Sequence, residues 1–445
     1  MKHLSIDGFA GGGGASCGLK MAGIDVTIAI NHDPAAIRMH TVNHPKTLHL
    51  TEDIFQVDLA KYLDRDDVVD VMWASPDCTS HSKAKGGQPR ELGLRILPWA
   101  VYRLCRQIKD ITGKLPTMLF MENVEEIQEW GPLDRSGHPI QRKKGREYRR
   151  FITAMKKLGF SFDSRVLVAA DYGAPTTRKR WYAVFRSDGK PIRWPEPTHC
   201  KSGETDLLGT RLPWVPVSTC LDFTDLGSSI FERKKPLADA TLKRIANGIK
   251  KFIAENPNPY YLPEEQALPF LIQYHSETTE SVRGQTVEEP LKTIDTSNRY
   301  ALVSVFITKF YKTGTGQMIT EPLHTITTSP GHFGLVSVFL VKYYQTGGGQ
   351  SVDEPLATIT TKDRFGMVST ILLKNGEQYA IADIRMRMLK PEELKLAQGF
   401  PPDYIIDHDA DGNSYPVSEQ VAKIGNSVVP IMAAAIVKAN LLTTC

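Results

Sequence analysis

The sequence predicts an α/β protein built on an open, mostly parallel sheet and interrupted by a smaller β-rich region. Three observations carry that reading. Short β-branched and apolar runs alternate with helical stretches through residues 1–190, the pattern of parallel strands joined by crossover helices. A glycine-rich turn, Gly11-Gly12-Gly13-Gly14, follows the first of these strands. Proline-rich text from Pro191 to Pro216 then ends the alternation, and the sequence beyond it repeats before α/β character returns near Lys390.

Taken in order, His3 to Ile6 reads as a strand, followed by the glycine turn and a helix. Glycines let a ligand approach the backbone, and the helix start offers N–H groups; a simple tight turn explains the glycines equally well. The strict GxGxxG spacing is absent, because Ser16 stands where the third glycine belongs. That disfavours a dinucleotide, and an oxidoreductase with it, relative to another adenosyl ligand. Ile24 to Ile30 reads as the second strand and ends at Asn31-His32-Asp33, where polar groups meet the ribose of a bound nucleoside. Asp53 is placed to reach a base. Either acid, Asp33 or Asp53, is equally a helix cap.

Val68 to Trp73 is the fourth strand and ends in Pro76-Asp77-Cys78, which delivers a thiol to the sheet rim. A cysteine there is more often packing than nucleophile. Ser80 to Gly87 reads as a polar loop suited to closing over a substrate. Thr117 to Met121 is a buried strand with Glu122-Asn123-Val124 at its end, and a carboxylate in that position is costly unless paired, capping or functional. Arg165 to Ala170 is followed by Thr176-Thr177-Arg178-Lys179-Arg180 and a returning strand, Trp181 to Arg186. The glycine loop, Cys78, Glu122 and both arginines thus fall at strand ends that share one edge, where open α/β sheets bind ligands.

Beyond the break lies an internal repeat. Copies begin at Gly284, Gly316 and Gly349, each reading Gly-Gln followed by Glu-Pro-Leu-x-Thr-Ile, with a spacing of roughly 33 residues. Apolar strands are expected at Leu302–Phe306, Leu335–Leu340 and Met367–Leu372. The repeat is either a structural β array or a recognition surface whose Lys309, Lys312, Lys342, Lys362 and Arg364, interleaved with Tyr311, Tyr343 and Tyr344, face phosphates. Near the end, Lys390 to Pro401 and Ile431 to Leu442 read as helices.

The composition is that of an ordinary globular chain. The six cysteines form no CxxC pair, so neither a zinc knuckle nor a disulfide framework is expected, and no metal. No apolar run approaches the roughly 18 residues of a membrane span, and the N-terminus turns into glycines before a signal-peptide core forms, so the expectation is a cytoplasmic protein without a membrane partner. The net charge is only +4, but Arg142-Lys143-Lys144-Gly145-Arg146 with Arg149-Arg150 is a compact basic cluster, read either as a solvated surface or as a polyanion contact.

With these stretches laid out, the chain resembles the DNA (cytosine-5)-methyltransferases along nearly its whole length. Asp7 to Gly14 is similar to that family's S-adenosylmethionine loop. Pro76-Asp77-Cys78 resembles its Pro-Cys nucleophile motif, Glu122-Asn123-Val124 its ENV motif, and Thr176 to Arg180 its QxRxR block at both arginines. Gln398-Gly399-Phe400-Pro401 and Gly425-Asn426-Ser427-Val428 resemble its two C-terminal motifs. Asn31, Asp77 and Thr176 depart from the pattern, which has an acid, a proline and a glutamine there.

The resemblance implies a Rossmann-like S-adenosylmethionine-dependent methyltransferase sheet formed by 1–190 and 384–445, with 191–383 as a target-recognition region. It implies Cys78, Glu122, Arg178 and Arg180 as catalytic residues. It implies Phe9, Ala10, Gly11, Gly13, Gly14, Asn31, His32, Asp53, Ile54, Pro76, Asn426, Ser427 and Val428 around S-adenosyl-L-methionine. The expected substrate is a cytosine flipped out of double-stranded DNA, methylated at C5 through a Cys78 adduct at C6. The expected protein is monomeric on DNA, bacterial or phage-encoded, with a cognate restriction endonuclease as a further partner. An RNA cytosine methyltransferase on the same motifs is the runner-up, and the long repeat-bearing insertion argues against it.

Overall fold

The computed structural model describes residues 1–77, 92–206, 209–265, 267–274, 284–309, 339–342, 349–351, 365–368, 371–374 and 377–441. The chain divides into two compact units: Met1–Leu221 with Glu289–Asn298 and Lys390–Cys445, and Asp222–Glu288 with Arg299–Leu389. Residues up to Leu221 stay with the first unit because their backbone is tied into it, as where Thr198 N donates to Asp171 O at 3.0 Å and Val217 N to Glu289 O at 3.0 Å.

The first unit opens with β1 (His3–Asp7), α1 (Gly14–Met21), β2 (Ile28–Ile30), α2 (Pro34–Asn43), β3 (Leu48–Leu50) and β4 (Val68–Ala74). It continues with α3 (Leu92–Arg95), α4 (Leu97–Thr112), β5 (Met118–Asn123), α5 (Arg146–Leu158), β6 (Ser161–Val168) and β7 (Lys179–Arg186). These strands make one sheet in the order β3-β2-β1-β4-β5-β7-β6. The first five are parallel, and β7 runs antiparallel to both β5 and β6. Three short strands follow, β8 (His199–Cys200), β9 (Glu204–Asp206) and β10 (Gly209–Pro213).

The sheet is buried on both faces, so its strands read as apolar runs rather than as alternations. Along β4 the period of two sorts the residues: Met72 and Ala74 join Leu104, Ile108 and Met155 of α4 and α5, whereas Val71 and Trp73 join Leu19 of α1 on the other face. The expected second strand is cut to Ile28–Ile30, although Thr27 N still donates to Ser5 O and Leu48 N to Thr27 O at 2.9 Å; threonine hydroxyls add bonds around that start. Thr27 Oγ1 donates to Ser5 O at 2.6 Å, and Thr47 Oγ1 to Val26 O at 2.8 Å.

The second unit holds β11 (Ser228–Ser229), α6 (Asp239–Gly248), β12 (Ala267–Gln273), β13 (Gly284–Thr286), β14 (Tyr300–Lys309), β15 (Phe339–Lys342), β16 (Gly349–Ser351), β17 (Phe365–Val368), β18 (Ile371–Lys374) and β19 (Glu377–Met388). Its larger sheet is antiparallel through β19-β14-β12-β13, and Ile245 and Phe252 pack on Phe270 and Val303 from that sheet. The repeat is visible as a register. Phe270, Leu271 and Ile272 pair with Thr286, Gln285 and Gly284, and Phe339, Leu340 and Val341 pair with Ser351, Gln350 and Gly349. The second copy from Gly316, and Lys312, Lys362, Arg364, Tyr311, Tyr343 and Tyr344, lie outside the described residues.

The chain then returns to the first unit with α7 (Pro391–Ala397), α8 (Val417–Asn426) and α9 (Pro430–Leu441). Read as one stretch, Val417–Leu441 has the length and mean hydropathy (1.4) of a membrane-crossing helix, which the sequence was not expected to contain. Most of it is buried within the protein: α9 packs on α1, where a Cβ at Gly18 would come within 2.6 Å of Ala433 Cβ. Its apolar character is that of a core helix.

Candidate active site

At the end of β1 the backbone turns over its neighbours: Gly8 N donates to Trp73 O at 2.8 Å and Ala10 N to Ile30 O at 3.1 Å. Gly13 then caps α1 at φ +92°, a conformation that favours glycine, and a Cβ there would overlap the Tyr404 hydroxyl. That hydroxyl donates to Gly12 O at 2.6 Å, and Val428 O lies against Gly14. Gly11 faces open space: a Cβ placed on it would meet only Phe9 O, at 3.8 Å. The C-terminal motif thus closes one side of the glycine loop and leaves the other accessible.

Beneath the loop, Asp7 is fully buried, and its Oδ2 accepts from Ser16 Oγ at 2.7 Å. The chain continues from Ser16 Oγ to His40 Nε2 at 2.8 Å and from His40 Nδ1 to His49 Nε2 at 2.8 Å. Burial pushes the Asp7 carboxyl up to about 6, against hydrogen bonds from Ser16 and the Phe9 amide that favour its charged form. Burial, with His44 and His49 nearby, holds His40 well below the usual imidazole range. This line of polar groups was not read from the sequence; the signal was His40 on α2 with His49 on the adjoining strand.

Asn31 follows β2, and its Oδ1 accepts from Asp33 N at 2.9 Å. That donor sets the amide orientation and makes the NH₂ the outer end of the Asn31 side chain. His32 is exposed. Asp33 caps α2 by accepting from Ala35 N at 2.9 Å and pairs with Lys423 of α8. Burial raises its carboxyl, but the Lys423 ammonium and the helix amides outweigh that and hold it below the usual range. Asp53 is exposed and uses Oδ1 to accept from Phe55 N at 2.8 Å, while Ile54 is buried behind it. Asn426 is exposed at the end of α8, and Ser427 is tied by its Oγ to Lys423 O at 2.8 Å.

Further along the edge, Asn123 at the end of β5 donates from Nδ2 to Pro76 O at 2.9 Å and accepts from Val124 N at 2.9 Å. This fastens the segment leaving β4 beside Glu122. Cys78 and the Ser80–Gly87 loop lie outside the described residues; Asp77 is exposed. Glu122 is 7% exposed and pairs with Tyr182 across the β5–β7 ladder. Two residues earlier on β7, Arg180 brings Nε to 3.2 Å from Glu122 Oε1. Neither atom has an aligned hydrogen bond although both are buried, so the interaction is one of charge and leaves bonding capacity for a third group.

Arg178 is placed differently from Arg180. Its Nη1 donates to Ile294 O at 3.2 Å and Gly425 O at 3.0 Å, and the residue is buried. It ties the Glu289–Asn298 segment and the C-terminal motif to the arginine block. Thr176, where the resembled family has glutamine, accepts from Arg178 N at 3.3 Å, and Leu291 exchanges hydrogen bonds of 2.8 Å with Pro175 O and Thr177 N. The docking of Glu289–Asn298 was not foreseen, because the first repeat copy reads like the other two.

A family model described as C-5 cytosine-specific DNA methylase matches residues 4–441. The Type II methyltransferase M.AquIA of Picosynechococcus is 27% identical over 228 residues, 48% of this chain and 84% of that protein. The Type II methyltransferase M.SacI of Streptomyces achromogenes is 26% identical over 231 residues; the alignment spans 48% of this chain and 56% of M.SacI. Among solved structures, the S. pombe Dnmt2 methyltransferase is similar in fold at a TM-score of 0.51 and 13% identity, with 99% of each chain covered. The chain belongs to the C-5 cytosine-specific DNA methylase family.

Proposed function

We propose that this DNA (cytosine-5)-methyltransferase moves a methyl group from S-adenosyl-L-methionine to C5 of a cytosine flipped out of double-stranded DNA. The observation that carries the reading is the buried Glu122–Arg180 pair beside the Pro76 carbonyl that Asn123 holds. A carboxyl group with spare bonding capacity, next to the segment that leads to Cys78, suits a base that must receive a proton at N3 and donate from its amine while C6 is attacked.

The Cys78 thiolate adds to C6, and the electron pair moves to make C5 nucleophilic. With a proton on the oxygen facing the base, Glu122 donates to N3 and accepts from the exocyclic amine with its other oxygen; that proton passes to N3 as C6 is attacked and returns on β-elimination, and Arg180 orients Glu122. After methyl transfer C5 loses its proton and Cys78 leaves by β-elimination, which regenerates the thiolate. The ring face attacked is covered by stacking in a duplex, hence the flipped base.

The residues around the glycine loop fit the methyl donor. Half-buried Phe9 offers a face for an adenine, exposed Asp53 a carboxylate for its amine, and Asn31, His32 and Asn426 polar ends around the open side of Gly11. When bound, S-adenosyl-L-methionine supplies an electrophilic methyl. The second unit is the proposed target-recognition region. Duplex DNA bound by one copy of the chain is the proposed complex, and a restriction endonuclease is the partner that the Type II relatives suggest.

The test is incubation with labelled S-adenosylmethionine and cytosine-rich duplex DNA, then nucleoside mass spectrometry. Label in 5-methylcytosine is expected. Label at another position, or transfer to tRNA in preference to duplex, contradicts the reading.

A further inference from the structure

Residues 135–157 hold nine lysines and arginines and one acid, Glu147, a charge of +8 in a chain whose total is +4, so the remaining sequence is net negative. The charge is concentrated on one surface. Helix α5 buries Phe151, Ile152 and Met155, and its outer face carries Arg146, Arg149, Arg150, Lys156 and Lys157 around Thr153, all but Thr153 basic. Arg142 and Lys144 are exposed just ahead of it.

Two features set this surface apart from an ordinary solvated helix. The cations crowd the N-terminal end of α5, which is the positive end of the helix dipole, where they oppose helix stability. Local acids offset little: Glu147 lies 3.5 Å from Arg150 and Glu129 lies 2.8 Å from Lys144. The position is also specific. Gly145 N donates to Glu129 O at 3.1 Å, and Glu147 N and Tyr148 N to Trp130 O at 3.0 and 3.1 Å. The start of α5 is thereby fastened to the segment that leaves Glu122. Charge placed against the helix and beside the catalytic edge calls for an external polyanion.

We infer that the outer face of α5 with Arg142 and Lys143 grips the duplex backbone outside the target site, a second DNA-binding surface carried by the catalytic unit. It rests on duplex DNA as the substrate. Interactions of this kind read phosphates, not bases, so they add affinity without sequence preference.

The experiment compares wild type with the triple variant Arg142→Gln/Lys143→Gln/Arg146→Gln by fluorescence anisotropy, on mixed-sequence duplexes of about 12 and about 40 base pairs over a salt series. The slope of log affinity against log salt on the longer duplex is expected to fall by about 2 to 3, near 0.9 for each phosphate left unneutralised, with affinity roughly tenfold weaker at physiological salt. The melting temperature is expected to stay level or rise, because removing cations from the positive helix end relieves it. Lys156→Gln/Lys157→Gln gives a second reading away from the helix start, with a slope reduction of about 1 to 2. Wild-type slopes in both folded variants overturn the inference, as does an equal loss on single-stranded RNA with none on duplex DNA. Failure of wild type to methylate any duplex is a separate result and overturns the substrate reading instead.

Discussion

Two regions share the edge of the large sheet and are built in opposite ways. The Glu122 side is assembled from neighbouring strands, β4, β5 and β7, and keeps two buried charged atoms without aligned hydrogen bonds. The glycine-loop side is closed by residues distant in sequence, with Tyr404 on Gly12, Lys423 on Asp33 and Val428 on Gly14, and one buried carboxylate atom without an aligned hydrogen bond, Asp7 Oδ1, lies beneath the loop. Unsatisfied buried charge is costly to a fold and useful to a reaction, whereas satisfied interactions across long sequence separations stabilise. Substitutions on the first side should therefore reduce rate, and those on the second should reduce stability or cofactor affinity.

The largest effect is expected from Glu122→Gln, which keeps the shape and removes the charge. Methyl transfer should fall by about 10²- to 10⁴-fold with little change in melting temperature. A variant that loses stability instead would place Glu122 with the structural groups.

The two arginines sharpen the contrast because they stand two residues apart. Arg180→Met should lower kcat about 100-fold, with a stability cost that comes from leaving Glu122 without its charge partner and that disappears when Glu122 is also changed to Gln. Arg178→Met should instead cost about 2–4 kcal/mol of stability, since the Ile294 and Gly425 carbonyls lose charged donors. Paired activity and denaturation curves decide, and equal behaviour of the two variants breaks the comparison.

Asp7→Asn addresses the stability of the cofactor side through pH. Burial lifts the Asp7 carboxyl to about 6 in the folded protein, against 3.8 for a free side chain. Folding therefore favours its protonated form; that contribution is complete below about pH 4 and is lost as pH rises through about 6. The asparagine variant should be more stable than wild type at pH 8, by up to about 3 kcal/mol, with the gain fading by pH 4. A gain independent of pH would mean that Asp7 does not carry the cost.

The smallest effect is expected from Lys423→Met, which releases α8 from the cap of α2. S-adenosylmethionine affinity measured by calorimetry should weaken roughly fivefold, about 1 kcal/mol, with kcat at saturation kept. Unchanged affinity would remove the latch from the cofactor site.

The same division explains what the sequence made legible. Strand ends are written locally, as apolar runs stopped by Glu122-Asn123 or Pro76, so the seven-stranded sheet and the edge that gathers Glu122 and Arg180 could be read. The different fate of Arg178 could not, because it is set by carbonyls of Ile294 and Gly425, more than a hundred residues away. The repeat was legible as a period, and its register recurs at Phe270 and Phe339. Its first copy departs from the others through docking at Pro175–Arg178, a tertiary arrangement that no local pattern encodes.

We propose that cytosine is attacked by Cys78 while Glu122 and Arg180 hold the base. Duplex DNA carrying 5-fluorocytosine, incubated with S-adenosylmethionine, tests it directly, because fluorine at C5 cannot leave as a cation and the adduct is trapped. A denaturation-stable protein–DNA species with its cross-link on Cys78, absent in Cys78→Ser, is the expected result. Methylation of ordinary duplex without any such adduct, or an adduct that persists in Cys78→Ser, would contradict the account.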